Sequence, residues 1–298
     1  MGQREVTAVT RRDVKALIAR KAEIAPVSAG ALLGYVRRLL QYAVELEHIE
    51  INPAADLRPP ARARQRQRNL SPDEIRQFWR VLPSLDASEH VRLVLRFALL
   101  TGQRIGEILQ LRWTDIEGDW WTVPAAVSKN RLAHRVYLTP MAKELLEQAR
   151  AGADGGDLVW RGKAKRRPGQ TAPDYALDRC APMHVINRGL AAVDEAGVRR
   201  LTLEPFRVHD LRRTAASQMA AIGIPRDIIS KVLNHAERGV TAVYDRYSYD
   251  AEKMDAASRW ADALRRIVDG EGAPTAPDVR TLEARLALCE AQYVAAPR

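Results

Sequence analysis

The chain has 298 residues, with 47 Lys and Arg against 37 Asp and Glu and a formal net charge of +10. That length suits one large domain and one small one, and the basic surplus favours a polyanionic partner, either nucleic acid or an anionic membrane face. No run of about 18 apolar residues occurs, the polar N-terminus has no apolar signal segment, and Cys180 and Cys289 have no second Cys or His at zinc-ligand spacing. A membrane span, a secretory leader, a disulfide framework and a metal site are therefore not expected, and the chain reads as soluble and cytoplasmic.

Thr10 and Asp13 have the pattern of a capping box, and Val14, Leu17 and Ile18 then recur at helical spacing. A second helix is predicted from Ser28 to about Leu46. Its apolar residues Leu32, Leu33, Tyr35, Val36, Leu39, Leu40 and Val44 form a face too wide for a lone surface helix, and Asn52-Pro53 is expected to stop it. Residues 1–56 thus read as a small helical domain. Residues 57–69 contain two prolines and then Arg62, Arg64, Arg66 and Arg68 without apolar periodicity, as in a basic interdomain linker.

Ser71, Pro72 and Glu74 supply a cap, a first-turn proline and an acid three residues after the cap, which opens a larger domain over 70–269. Val91, Leu93, Val94, Leu95, Phe97, Leu99 and Leu100 make a helix apolar nearly all round, hence buried, ended by Thr101-Gly102. A short helix carrying Arg104 to Leu111 follows. Trp120–Val123 and His134–Leu138 are short β-type runs flanking a polar stretch with Lys129 and Asn130, consistent with a small antiparallel sheet. Helices return from Pro140, and residues 163–173 read as a basic surface loop. Further helices are predicted over about 182–196, 209–222, 225–233 and 250–267. Residues 270–298 read as a linker-like tail with a candidate subunit-docking helix at Thr281–Leu288. The class is mainly α with a small antiparallel β-sheet.

Three separated patches carry candidate chemistry: Thr101-Gly-Gln-Arg104-Ile-Gly-Glu107, then His209-Asp-Leu-Arg212, then Leu233-Asn-His235 with Tyr244 nine residues later. Each alone has a bland reading. An arginine after a helix-ending glycine is commonly solvated. His209 and Arg212 share a helix face as many surface pairs do, and Tyr244, Tyr247 and Tyr249 suit ordinary aromatic packing. A lysine between two short strands is most often a turn residue.

Taken together, in this order and spacing, the patches resemble the phage-integrase family of tyrosine recombinases. The resemblance runs from about Val6 through Asn52-Pro53, the Ser71 helix, the Arg104 box and Leu111-Arg-Trp to Tyr244-Asp-Arg-Tyr and Trp260. It implies a tyrosine-recombinase catalytic fold preceded by a partial core-binding (SAM-like) helical domain. The implied activity is site-specific DNA integration and recombination through a 3′-phosphotyrosyl intermediate. The family's catalytic set falls on Arg104, Lys129, His209, Arg212, His235 and Tyr244, and its usual glycine before the second histidine is Asn234 here. Guanidinium groups suit the extra charge on a five-coordinate phosphorus. A phenol with a reference pKa of about 10 needs help to lose its proton. The implied roles are therefore charge stabilisation for Arg104 and Arg212, proton acceptance or orientation for His209, a hydrogen bond to phosphate oxygen for His235, and general acid for Lys129. Glu107 is read as a support that fixes Arg104, and Arg62, Arg64, Arg66 and Arg68 as phosphate contacts.

No metal or other cofactor is expected. The implied partners are double-stranded DNA attachment sites, further copies of the chain in a tetramer on DNA, and accessory DNA-bending proteins, with no membrane. The chain is expected to be N-terminally short, lacking the first core-binding helix. The rival readings are an integrase remnant that only binds DNA, and a type IB topoisomerase that cleaves without synapsis.

Overall fold

The computed structural model describes residues 4–61, 68–151, 156–162, 176–193, 197, 199, 201–235 and 247–271. The chain divides into two compact units, Met1–Gln67 and Arg68–Arg298.

In the first unit, α1 (Arg11–Ile24) begins with a capping box in which Thr10 and Asp13 satisfy each other's backbone N–H. It packs against α2 (Pro26–Glu45), and Val14, Ile18, Ala29, Leu33 and Leu40 form the buried seam. Two expectations are corrected here. The wide apolar face of α2 is only partly covered among the described residues, with Tyr35 74% and Leu39 67% exposed, because a single packed helix covers a single stripe. Asn52 does not stop the helix, which ends at Glu45 with Glu47 in the left-handed region. Instead Asn52 is buried, donates to the Arg37 carbonyl at 3.0 Å and accepts from Ala54 N–H at 2.9 Å.

The second unit is built around α4 (Glu89–Thr101), whose residues Val91, Leu93, Val94, Leu95, Phe97, Leu99 and Leu100 are all buried. A side chain of Leu or Phe size contributes about 1.5–3 kcal/mol on burial, so α4 anchors this core. Around it pack the one-turn α5 (Ile105–Ile108), α6 (Pro140–Ala151), α7 (Ala181–Ala191), α8 (Val208–Ala221) and α10 (Asp250–Asp269). The last of these also covers α3 (Pro72–Val81) and α9 (Arg226–Val232), and its Trp260 donates to the Leu99 carbonyl. The capping box of Ser71 and Glu74 opens α3 as its sequence predicts. At the entry to the unit, Thr214 of α8 accepts from Leu70 N–H at 2.8 Å and donates to Asp210 O at 2.7 Å.

The sheet has strand order β1-β2-β3, with β1 (Ile116–Glu117), β2 (Trp120–Val123) and β3 (His134–Tyr137) antiparallel. Its β2–β3 register pairs Trp121 with Val136 and Val123 with His134. The two-residue β1 escapes the sequence pattern because it is too short to show alternation. The helix predicted over 182–196 ends early, at Ala191, since Ala192 turns to extended geometry and Val193 bridges to Arg199. The predicted loop at 163–173 and the tail helix at 281–288 lie outside the described residues.

Candidate active site

The site is built around the C-terminal end of α9. That helix closes with His235 N–H donating to Ser230 O at 3.0 Å and Asn234 N–H donating to Lys231 O at 3.2 Å, the pattern of a Schellman motif. Asn234 occupies the left-handed position of that motif, with φ +48°. Asparagine accepts this conformation more readily than other side-chain-bearing residues, so it fills a place that glycine would also fill. The motif turns the chain so that His235 leaves the helix at once, exposed.

The carbonyls of Val232, Leu233 and Asn234 lie past the last intrahelical bonds and carry the negative end of the helix dipole. Five donors from elsewhere in the second unit satisfy them. Gln103 Nε2 reaches Val232 O at 2.9 Å and His134 Nε2 reaches the same oxygen at 3.1 Å. Arg212 donates through one terminal nitrogen to Leu233 O and through the other to Gly102 O at 2.9 Å. Arg104 and Asn130 both reach Asn234 O, at 3.0 and 2.7 Å.

Arg104 is held on its other side by Glu107 Oε1 at 3.0 Å, and the same oxygen accepts Lys129 N–H at 3.2 Å. Glu107 is buried, so it braces both the guanidinium and the Lys129 loop from within. Gly102 (φ +65°) ends α4 and sets the direction of the Arg104 segment; a Cβ there would meet Leu233 Cδ2 at 2.9 Å. Each arginine thus has a fixed plane and retains N–H donors not spent on protein.

The electrostatics match a site for a polyanion. Burial first, then the charge of Arg104, lowers Arg212 to about 10, which leaves it cationic at neutral pH. His209 sits exposed at the start of α8, yet crowding by surrounding protein, and then the charges of Arg213 and Arg212, hold it below the ordinary imidazole range. His235 is lowered in the same way, by desolvation and then by Arg212, Arg104 and His209. Both rings are therefore neutral near pH 7, with one nitrogen to donate and one to accept.

Of the residues singled out in the sequence, Arg104, Glu107, Lys129, Arg212 and His235 are joined by contacts at or beside the end of α9, and His209 shares their electrostatic surroundings. Tyr244 lies outside the described residues, as do Arg62, Arg64 and Arg66. Arg68 is described, and its guanidinium is engaged by the Glu74 carboxylate, by Asn69 O and by Glu204 O. Tyr247 and Tyr249 pack edge to face at 4.9 Å, with Lys231 Nζ 4.3 Å from the Tyr249 ring centroid. Sequence reading passed over Gln103, Ser128, His134 and the side chain of Asn234. Only the last left a signal, the asparagine standing where the resembling family has glycine. Among the described residues no group of His, Cys, Asp and Glu side chains is arranged to hold a metal ion, and no helix is long and apolar enough to cross a membrane.

A sequence profile of the phage integrase family matches residues 68–250, more than half of the chain. Prophage integrase IntZ of Escherichia coli (strain K12) is 28% identical over 283 residues, covering 93% of this chain and 65% of that protein. Prophage integrase IntA of the same strain is 25% identical over 270 residues, covering 87% of this chain and 61% of its own length. The chain therefore spans less than two thirds of these relatives. Among solved structures, a lambda integrase tetramer bound to a Holliday junction superposes with a TM-score of 0.58 at 20% identity, over 78% of this chain and 65% of that one. This likeness shows the fold: mainly helical, with a small antiparallel sheet.

Proposed function

The chain belongs to the phage integrase family, and from that premise we propose that it cuts and rejoins DNA strands through a covalent tyrosine intermediate, with Tyr244 as the nucleophile. The observation that carries this reading is the convergence at the end of α9, where Arg104 and Arg212 are held in fixed planes next to His235, nine residues before Tyr244.

In the proposed step the Tyr244 phenolic oxygen bonds to phosphorus as the bond from phosphorus to the 5′-oxygen breaks. The phenol proton passes to His209, whose lowered affinity for protons keeps it neutral and ready to accept one. Lys129 gives a proton to the departing 5′-oxygen. Arg104 and Arg212 take the charge that develops on the equatorial oxygens, and His235 donates to a non-bridging oxygen. Loss of one such preorganised donor costs about 10²–10³ in rate. The products are a 3′-phosphotyrosyl link and a free 5′-hydroxyl. Attack by another strand's 5′-hydroxyl reverses the step, so the scheme requires neither ATP nor a metal ion. Glu107 orients Arg104. Arg62, Arg64 and Arg66 contact the phosphate backbone, while Arg68, paired with Glu74, serves the fold rather than the DNA. Double-stranded attachment sites are the substrate, and the chain acts as a tetramer on DNA while remaining monomeric in solution.

The test is covalent trapping on a randomised pool of nicked duplexes, whose lost fragment prevents religation. A denaturation-resistant adduct is expected with the natural chain and none with Tyr244→Phe; sequencing the trapped strands identifies the site. An adduct that persists in the Phe variant, or that maps to Tyr247 or Tyr249, overturns the nucleophile assignment. No adduct from the natural chain, with duplex binding retained, favours a protein that only occupies DNA.

A further inference from the structure

We propose that Asn234 is a positioning residue that docks the Lys129 loop onto the end of α9, so that the general acid is placed by the same turn that places His235. The proposal rests on the reading of Lys129 as the acid.

Three successive residues of the loop are tied at one place. Ser128 Oγ, buried, accepts from Asn234 Nδ2 at 3.1 Å. Lys129 N–H donates to Glu107 Oε1 at 3.2 Å, and Asn130 Nδ2 donates to Asn234 O at 2.7 Å. Asn234 thus contacts the loop on both sides of Lys129, through its side chain at one residue and its carbonyl at the other. The Lys129 side chain itself is exposed. It is long and rotamer-rich, so its position depends on how firmly its backbone is held.

The backbone does not by itself account for asparagine at this position. A left-handed residue at the end of α9 is served by glycine at less conformational cost. Asparagine adds a donor that reaches Ser128, and with glycine that bond is absent while the turn remains. The Arg104 guanidinium, on the same Asn234 carbonyl, keeps its contact in either case. The side chain therefore acts on the acid's loop separately from the phosphate-binding arginine, which makes its contribution separable by experiment.

The variant is Asn234→Gly, which keeps the left-handed turn, with Ser128→Ala breaking the same bond from the other end. The substrate is the nicked duplex recovered from the trapping pool, made once with the normal 5′-bridging oxygen and once with sulfur there. Sulfur leaves without help from an acid, so it removes the need for a well-placed Lys129. We expect Asn234→Gly and Ser128→Ala each to slow cleavage of the oxygen substrate about tenfold, the effect of losing one positioning hydrogen bond. On the sulfur substrate both should come within about twofold of the natural chain, and the double variant should be no slower than either single one. Lys129→Ala serves as the reference. If sulfur does not rescue it, the acid assignment falls and this proposal falls with it. If sulfur rescues Lys129→Ala but Asn234→Gly is as fast as the natural chain on oxygen, or equally slow on both substrates, the acid assignment stands and Asn234 has no part in placing it.

Discussion

Lowering the pH should weaken the second unit through His134, and the size of the effect follows from its surroundings. His134 is buried at the start of β3, and Nε2 lies 3.1 Å from the Val232 carbonyl. A carbonyl only accepts, so Nε2 carries the proton and the neutral ring is the form that fits. Burial above all, then the charge of Lys253, lowers its pKa to about 3, with the Val232 bond opposing and Arg212 and Arg104 adding to the shift. In the unfolded chain an ordinary imidazole titrates near 6.5. Between those values the unfolded state binds more protons, so the contribution of His134 to stability is fully present above about pH 6.5 and is lost as pH falls towards 3. At pH 5 the loss is about 2 kcal/mol, since each pH step below 6.5 removes about 1.4 kcal/mol. His134→Gln keeps an N–H donor and removes the titration. The assay is urea unfolding followed by tryptophan fluorescence at pH 7.5 and pH 5. All six tryptophans lie in the second unit, so the signal reports that unit alone. His90, His209 and His235 are also lowered and act in the same direction, but they are common to both proteins and cancel in the comparison. The natural chain should lose about 2 kcal/mol more than the variant between the two pH values. Equal losses would refute the reasoning.

Gly102→Ala forces a Cβ to 2.9 Å from Leu233 Cδ2 at a left-handed position. It should cost about 1–2 kcal/mol in unfolding free energy and slow adduct formation further, because Leu233 O holds Arg212; a variant that cleaves at the natural rate would contradict this. Thr214→Val leaves the buried Leu70 N–H without its acceptor and should cost about 1–3 kcal/mol, most of it recovered in Thr214→Ser, as chemical denaturation would register. Replacing Arg62, Arg64 and Arg66 with Gln should flatten the log–log salt dependence of duplex binding by about 0.9 per lost contact, and an unchanged slope would mean the run is only a solvated linker. Arg68→Gln, which removes the Glu74 pair, should appear mainly in the unfolding midpoint, with little change in that slope.

The parts of this protein legible in its sequence are those decided within a few residues. The capping boxes at Thr10 and Ser71, the all-round apolar α4 and its glycine stop, and the short runs that pair as β2 and β3 are set by hydrogen bonds and side-chain periodicity over one or two turns. The candidate site was legible as a list because the order and spacing of Arg104, Lys129, His209, Arg212, His235 and Tyr244 resemble a known family. Where a reading needed to know what lay opposite an element, it went astray. The apolar face of α2 shows how wide a contact is possible, and only the packed unit shows that Tyr35 and Leu39 remain exposed. Asn52 looks like a helix stop in the sequence, and only folding brings the Arg37 carbonyl to it.

The same division holds at the site. Local sequence determined that α9 would end at a residue tolerant of the left-handed conformation, and so that His235 would leave the helix there. The tertiary structure decided which groups meet that end. Gln103, Arg104, Asn130, His134 and Arg212 approach the three terminal carbonyls from α8, from the turn after α4, from the β2–β3 connection and from the start of β3, and several of those pairs are separated by about a hundred residues or more. No periodicity encodes such a meeting. It follows from the burial of α4 against α8 and of α9 against α10, which brings the orphaned carbonyls and the buried donors together where each would otherwise stay unpaired at a cost of about 1–3 kcal/mol.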